Sequence, residues 1–172
     1  MMDSAKIKHA NLIEILKGME SVAVAFSGGV DSSFLLAAAK EALGEKVIAF
    51  TARLEVSPEK EAEEAEEFAR KLRIKHIILT PDVMTMDEFV SNPADRCYHC
   101  KKECFTKIHA MAVEKGFRYV AEGSVKEDIN DYRPGMRAVA ELGIRSPLLE
   151  ADLTKDEVRM LSREMGLPTW NK

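Results

Sequence analysis

A strand-length apolar run, Val22-Ala23-Val24-Ala25-Phe26, passes through Ser27-Gly28-Gly29-Val30-Asp31-Ser32-Ser33 into a helix-length run, Phe34-Leu35-Leu36-Ala37-Ala38-Ala39. A strand with no polar position is buried on both faces, which points to the interior of a parallel sheet. The helix that follows must then carry the chain back across that sheet. This single junction restricts the fold more than any compositional figure does.

The alternation continues along the chain. A helix is expected over residues 4–18, with Ile7, Leu12, Ile13 and Leu16 at helical spacing, and another over about 32–43, stopped by Gly44. Val47-Ile48-Ala49-Phe50-Thr51-Ala52 reads as a second buried strand. Ser57-Pro58-Glu59 suits a helix start, serine as cap and proline in the first turn. The helix behind it gathers acids early and Arg70, Lys71 and Arg73 late, as the helix dipole favours, and its acids read as a solvated face. A third strand is expected at 76–80, a helix from about 95 to 115, a fourth strand at 119–123 and a helix over about 133–142. A short fifth strand near Ser146-Pro147-Leu148 and a last helix, opened by the capping box of Thr154 and Glu157, complete the pattern. The expected fold is α/β, a Rossmann-like three-layer α/β/α sandwich with a mostly parallel five-stranded sheet.

In such sheets ligands bind beyond the carboxyl ends of the strands. The loops at 27–33, 52–58 and 123–133 are expected at that edge. Gly28 and Gly29 permit a tight turn and close approach to bare backbone. The first amides of the following helix have no partners within it, so the turn suits an anion, above all a phosphate. The hydroxyls of Ser27, Ser32 and Ser33 add donors, and Asp31 is a candidate Mg²⁺ ligand. The spacing is neither a Walker A loop, which would need a lysine that is absent between Ser27 and Lys40, nor the Gly-x-Gly-x-x-Gly of dinucleotide folds.

The 172 residues fit one domain, 46% of them hydrophobic and 31% charged. No apolar run is long enough for a membrane span and no signal peptide precedes the first strand, so a cytoplasmic protein without a membrane partner is expected. A net charge of −4 argues against nucleic acid as a partner. Three cysteines without a secretion signal speak for thiols or metal chemistry over a disulfide framework.

Two further polar clusters carry chemistry. In Asn92-Pro93-Ala94-Asp95-Arg96-Cys97-Tyr98-His99-Cys100-Lys101-Lys102-Glu103-Cys104, positions 97, 100, 104, 108 and 111 share one helical stripe. The cysteines therefore fit a packed face, while a thiol or redox role and a metal or iron–sulfur role stay open. Arg96, at a helix start, suits an oxyanion. In the second cluster, Glu122-Gly123-Ser124 and Asp128 to Gly135, Gly123 would let adenine or ribose approach, and Asp128, Asp131 and Arg133 offer metal and phosphate ligands.

Together these segments, with Arg145-Ser146-Pro147-Leu148-Leu149-Glu150, Leu153-Thr154-Lys155 and Gly166-Leu167-Pro168-Thr169-Trp170, resemble the LarE family of ATP-dependent sacrificial sulfur transferases, within the PP-loop ATP pyrophosphatases. The likeness runs from about residue 10 to the C-terminus. It implies ATP and Mg²⁺ as cofactors, with Ser27, Asp31, Ser32 and Arg96 catalytic. It implies Ala25, Phe26, Ser27, Gly28, Gly29, Asp31, Ser32, Thr51, Ala52, Gly123 and Arg133 around the nucleotide, and Asp31 and Asp131 on the metal.

The implied reaction is adenylation of a small carboxylate, a pyridinium mononucleotide. A homo-oligomer is also expected. The family's sulfur-donating cysteine lies just beyond the Pro-Thr-Trp stretch, and Cys97, Cys100 and Cys104 do not match its position. The expectation is therefore one PP-loop domain over 1–172, with the sulfur-transfer domain absent or carried by a partner chain. The alternatives are an enzyme like NAD or GMP synthetase, a tRNA-thiolating enzyme, and a non-catalytic nucleotide-binding module.

Overall fold

The computed structural model describes residues 2–53, 59–80, 96–129 and 134–172, with the side chains of 96–98 and 134 outside the description. The first helix, α1, spans Met2–Met19 and lays Ala5, Leu12, Leu16 and Met19 onto the core. Strand β1 (Val22–Ala25) is followed by α2 (Val30–Leu43), β2 (Val47–Ala52), α3 (Glu59–Lys71) and β3 (Lys75–Leu79). Then come α4 (Arg96–Glu114), β4 (Tyr119–Ala121), a 3₁₀ turn (Lys126–Ile129), α5 (Pro134–Glu141), α6 (Pro147–Glu150) and α7 (Lys155–Glu164). The expected helix start at Ser57-Pro58 falls outside the described residues.

The sheet order is β3-β2-β1-β4 and every pairing is parallel, with Val22 opposite Val47 on one side and Tyr119 on the other. β1 and β2 are central, which is why their sequences contain no solvent-facing alternation. Among the described residues the sheet has four strands, not the five expected. At the fifth position only Arg145 bridges to Ala121, its amide donating to Val120 O at 2.9 Å and its carbonyl accepting from Glu122 N at 2.9 Å. Pro147 has no amide to continue a ladder, and with φ already fixed it opens the four-residue α6 instead.

The chain steps β1 to β2 to β3 in one direction, then returns past β1 to β4. With right-handed crossovers this puts α2 and α3 on one face and α4 on the other. The two buried clusters agree. One joins α1, α2, α3 and α7 around Phe26, Phe34, Leu36 and Phe68; the other joins Ile48 and Phe50 to Phe105, Ile108 and Ala112 of α4 and Val139 of α5. The reversal of strand order lies between β1 and β4, and a crevice must open there at the carboxyl ends of the strands.

Candidate functional site

That crevice is a cleft of about 490 Å³. Ala25, Phe26, Ser27, Asp31, Ser32, Thr51, Ala52 and Gly123 all line it, so eight residues separated by up to 98 positions in the sequence meet at one sheet edge. Of the other site residues named above, Arg96 is the first residue of α4 with its side chain outside the description, and Asp131 and Arg133 lie outside the described residues.

The loop between β1 and α2 is held by its own hydroxyls. Ser27 N donates to Ser32 Oγ at 3.1 Å, the two hydroxyl oxygens are 2.9 Å apart, and Gly29 N reaches Ser27 Oγ at 3.4 Å. Gly28 takes φ +89°, where a side chain would be strained, and Gly29 is the N-cap of α2 in extended geometry. Ser33 N is already bonded to Gly29 O at 3.1 Å, so the amides of Val30, Asp31 and Ser32 form the unpaired end of α2. An oxyanion seated there meets these donors and the positive end of the helix dipole. Ser33 does not join them. One residue further on, the helical period turns its side chain inward, and it is fully buried.

Asp31 and Lys155 complete the loop. Lys155 Nζ donates to Asp31 Oδ2, bringing a lysine from 124 residues away to a turn whose local sequence has none. The capping box that starts α7 is present: Glu157 N donates to Thr154 Oγ1 at 3.2 Å and Thr154 N to Glu157 Oε2 at 2.9 Å. Lys155 is thereby fixed as the first residue of α7, and its own amide is taken by Glu127 Oε2 at 2.7 Å. The box is local in sequence, whereas its position against the loop depends on tertiary packing.

Burial pushes the Asp31 carboxyl above its ordinary range, with the nearby Asp128 adding to the effect, and Lys155 opposes this without cancelling it. Asp31 Oδ1 is buried without a hydrogen-bond partner among the described residues. Asp128, which also lines the cleft, accepts from Val125 N at 2.8 Å. An unpartnered carboxylate oxygen near a second carboxylate is a donor set that fits Mg²⁺.

Thr51 contributes through its backbone, because its hydroxyl is committed. Its Oγ1 donates to Phe26 O at 2.7 Å. Since that hydroxyl has one proton, His76 Nε2, 2.6 Å away, must carry a proton and donate to it. Burial holds the His76 imidazole below its ordinary pKa, against the pull of Glu66, and so favours the neutral ring.

Gly123 has a packing reason to be glycine. A Cβ there would lie 3.0 Å from Ser32 N and 3.2 Å from Ser32 Cα, pressing on the anion-binding end of α2. Beside it Glu122, 5% exposed, accepts from Ser124 N at 3.1 Å, Ser124 Oγ at 2.7 Å and Ser146 Oγ at 2.5 Å. This triple contact ties the end of β4 to the residue that caps α6. It was invisible in the sequence because Ser146 lies 24 positions away.

The cysteine stripe is rotated from its expected place. Phe105, Ile108 and Ala112 form the buried face of α4, while Cys100 and Cys104 are half-buried, Cys104 lines the cleft, and the Cys97 side chain lies outside the description. A hydrogen bond with Cys100 and burial push the Cys104 thiol far above its ordinary pKa, so it stays protonated. Among the described residues no group of three His, Cys, Asp or Glu side chains is placed to hold a metal.

Residues 14–114 match the family model for asparagine synthase. The chain belongs to the asparagine synthase family. The chain is thus a PP-loop ATP pyrophosphatase domain. The chain is 38% identical over 172 residues to the pyridinium-3,5-bisthiocarboxylic acid mononucleotide synthase of Lactiplantibacillus plantarum. The alignment covers 99% of this chain and 62% of that relative, so the chain spans less than two thirds of its length.

The fold is shared with the NMN synthetase of Francisella tularensis, at a TM-score of 0.73 and 16% identity, over 98% of this chain and 74% of that one. It is shared also with the NH3-dependent NAD synthetase of Campylobacter jejuni, at a TM-score of 0.61 and 14% identity, over 94% and 84%. Among the described residues no helix is long and apolar enough to cross a membrane.

Proposed function

We propose that this domain binds ATP with Mg²⁺ and cleaves it between the α and β phosphates to adenylate a carboxylate of a pyridinium mononucleotide, as a step in sulfur insertion. The observation that carries the reading is the convergence of Lys155, Asp31 and the open amide end of α2 on one loop. The name of the L. plantarum relative supplies the acceptor class.

The chemistry asked of the site is charge management. A carboxylate oxygen of the acceptor forms a bond to the α phosphorus while the bond from that phosphorus to the bridging oxygen breaks. Pyrophosphate leaves with the electron pair, and an acyl-adenylate remains. The amides of Val30, Asp31 and Ser32, the hydroxyls of Ser27 and Ser32, and the Lys155 ammonium would stabilise the charge gathering on the leaving group. Asp31 and Asp128 would hold Mg²⁺, which supplies further neutralisation of the phosphates. Phe26, Ala25 and the backbone of Thr51 and Ala52 form the wall offered to the nucleoside.

The test is product analysis after incubation with ATP, Mg²⁺ and nicotinate mononucleotide as a pyridinium carboxylate. AMP and pyrophosphate are expected. ADP and phosphate would overturn the reading, and binding without turnover would make the domain a nucleotide-binding module.

A further inference from the structure

Three cations line the cleft among the described residues: Arg53, Lys101 and Lys155. Lys155 is paired with Asp31, and Arg53 lies 4.0 Å from Glu59. Lys101 has no carboxylate within ion-pair distance among the described residues, although Lys102 beside it reaches Glu141 at 3.2 Å. Its ammonium instead lies 5.9 Å from the Phe105 ring centroid.

The stem of Lys101, which is exposed, passes directly over Gly135. A Cβ on Gly135 would fall 2.6 Å from Lys101 Cδ and 3.1 Å from its Cε. α4 and α5 pack closely here, and glycine leaves the channel along which the lysine runs.

Lys101 also stands on the other wall from the phosphate loop. Loop, α2 and α7 belong to one face of the sheet, while α4 and α5 belong to the other with Phe105 and Ile108. A triphosphate seated on the α2 amides is served by Lys155. An oxyanion at Lys101, on the opposite wall of the same cleft, suits a second molecule whose reactive carboxylate reaches across toward the α phosphorus.

We propose that Lys101, guided by Gly135, binds the phosphomonoester of the acceptor and so selects a phosphorylated carboxylate over its dephosphorylated form. This rests on the adenylation reading given above. The role is binding and specificity, not chemistry at the reacting atoms.

Calorimetric titration of the intact chain separates the two ideas. First, the wild type, Lys101→Ala and Lys101→Arg are titrated with α,β-methylene-ATP and Mg²⁺. Then each protein, saturated with that analogue, is titrated with nicotinate mononucleotide and with nicotinate riboside, which lacks the phosphate.

The expected result is analogue affinity equal within twofold in all three proteins. Mononucleotide affinity should fall at least tenfold in Lys101→Ala and recover in part in Lys101→Arg, with riboside affinity unchanged. Gly135→Ala, which displaces the Lys101 stem, should weaken mononucleotide binding by less than Lys101→Ala does. No analogue binding by the wild type would overturn the nucleotide reading itself. Normal analogue binding with undiminished mononucleotide affinity in Lys101→Ala, with equal losses for mononucleotide and riboside, or with no mononucleotide binding by the wild type would overturn the role of Lys101. A loss of analogue affinity in Lys101→Ala would assign the lysine to ATP and overturn it likewise.

Discussion

Asp31 is held between burial, which disfavours its charge, and Lys155, which favours it, and burial prevails. Its folded-state pKa lies above the ordinary 3.8, so the folded protein binds this proton more tightly than the unfolded chain. The contribution to stability is therefore full below 3.8 and declines as pH rises through the raised value. At neutral pH the ionised carboxylate is a cost to the fold that only a bound cation would offset. Asp31→Asn should accordingly match or exceed the wild type in thermal stability at pH 7 without ligand, with the difference narrowing toward pH 4. The same variant should lose most of the stabilisation that Mg²⁺-ATP gives the wild type. Thermal unfolding with and without Mg²⁺-ATP at the two pH values checks both halves, and a variant stabilised by Mg²⁺-ATP as well as the wild type would remove Asp31 from the metal site.

Among the elements, α7 most directly couples fold to site. Its N-terminus is fixed by the reciprocal contacts of Thr154 and Glu157, and its first residue is Lys155. Loss of such a cap costs about 1 kcal/mol, roughly 2–4 °C in Tm for a domain of this size. Thr154→Ala should show that drop in a thermal melt together with weaker ATP binding in titration, because the lysine is no longer presented to Asp31.

Local signals of this kind were legible from the sequence. The buried runs of β1 and β2, the glycine end of α2 and the capping box each depend on neighbours within one turn or one strand. The fifth strand was misread because its apolar residues outweighed the one proline that lacks a ladder donor. The cysteine stripe was misplaced because Phe105, with more area to bury than a thiol, decides which face of α4 turns inward. Lys155 and Ser146 were not legible as site residues, since only tertiary packing brings them to Asp31 and Glu122.

At the scale of the molecule, α1 and α7 are clamped across the first face by Lys8 and Glu157, 3.1 Å apart and 149 residues apart in sequence. Glu157 is 6% exposed. Burial pushes its carboxyl up, but the Thr154 backbone and the Lys8 ammonium together outweigh this and hold it below the ordinary 4.5. The clamp therefore stabilises the fold above pH 4.5 and is lost as pH falls through the lowered folded-state value. Wild type and Glu157→Gln should differ in Tm at pH 6 and converge by about pH 3. A difference that persists in acid would show that the ion pair is not its source.

The contact between Lys155 and Asp31 also has a consequence in time. Synthesis proceeds at about 5–20 residues per second, so the 124 residues between the two partners take several seconds to appear. During that interval the ribosome-bound chain already displays the glycine turn and both central strands, but not the lysine. A nascent chain cannot form this contact until α7 has emerged and docked.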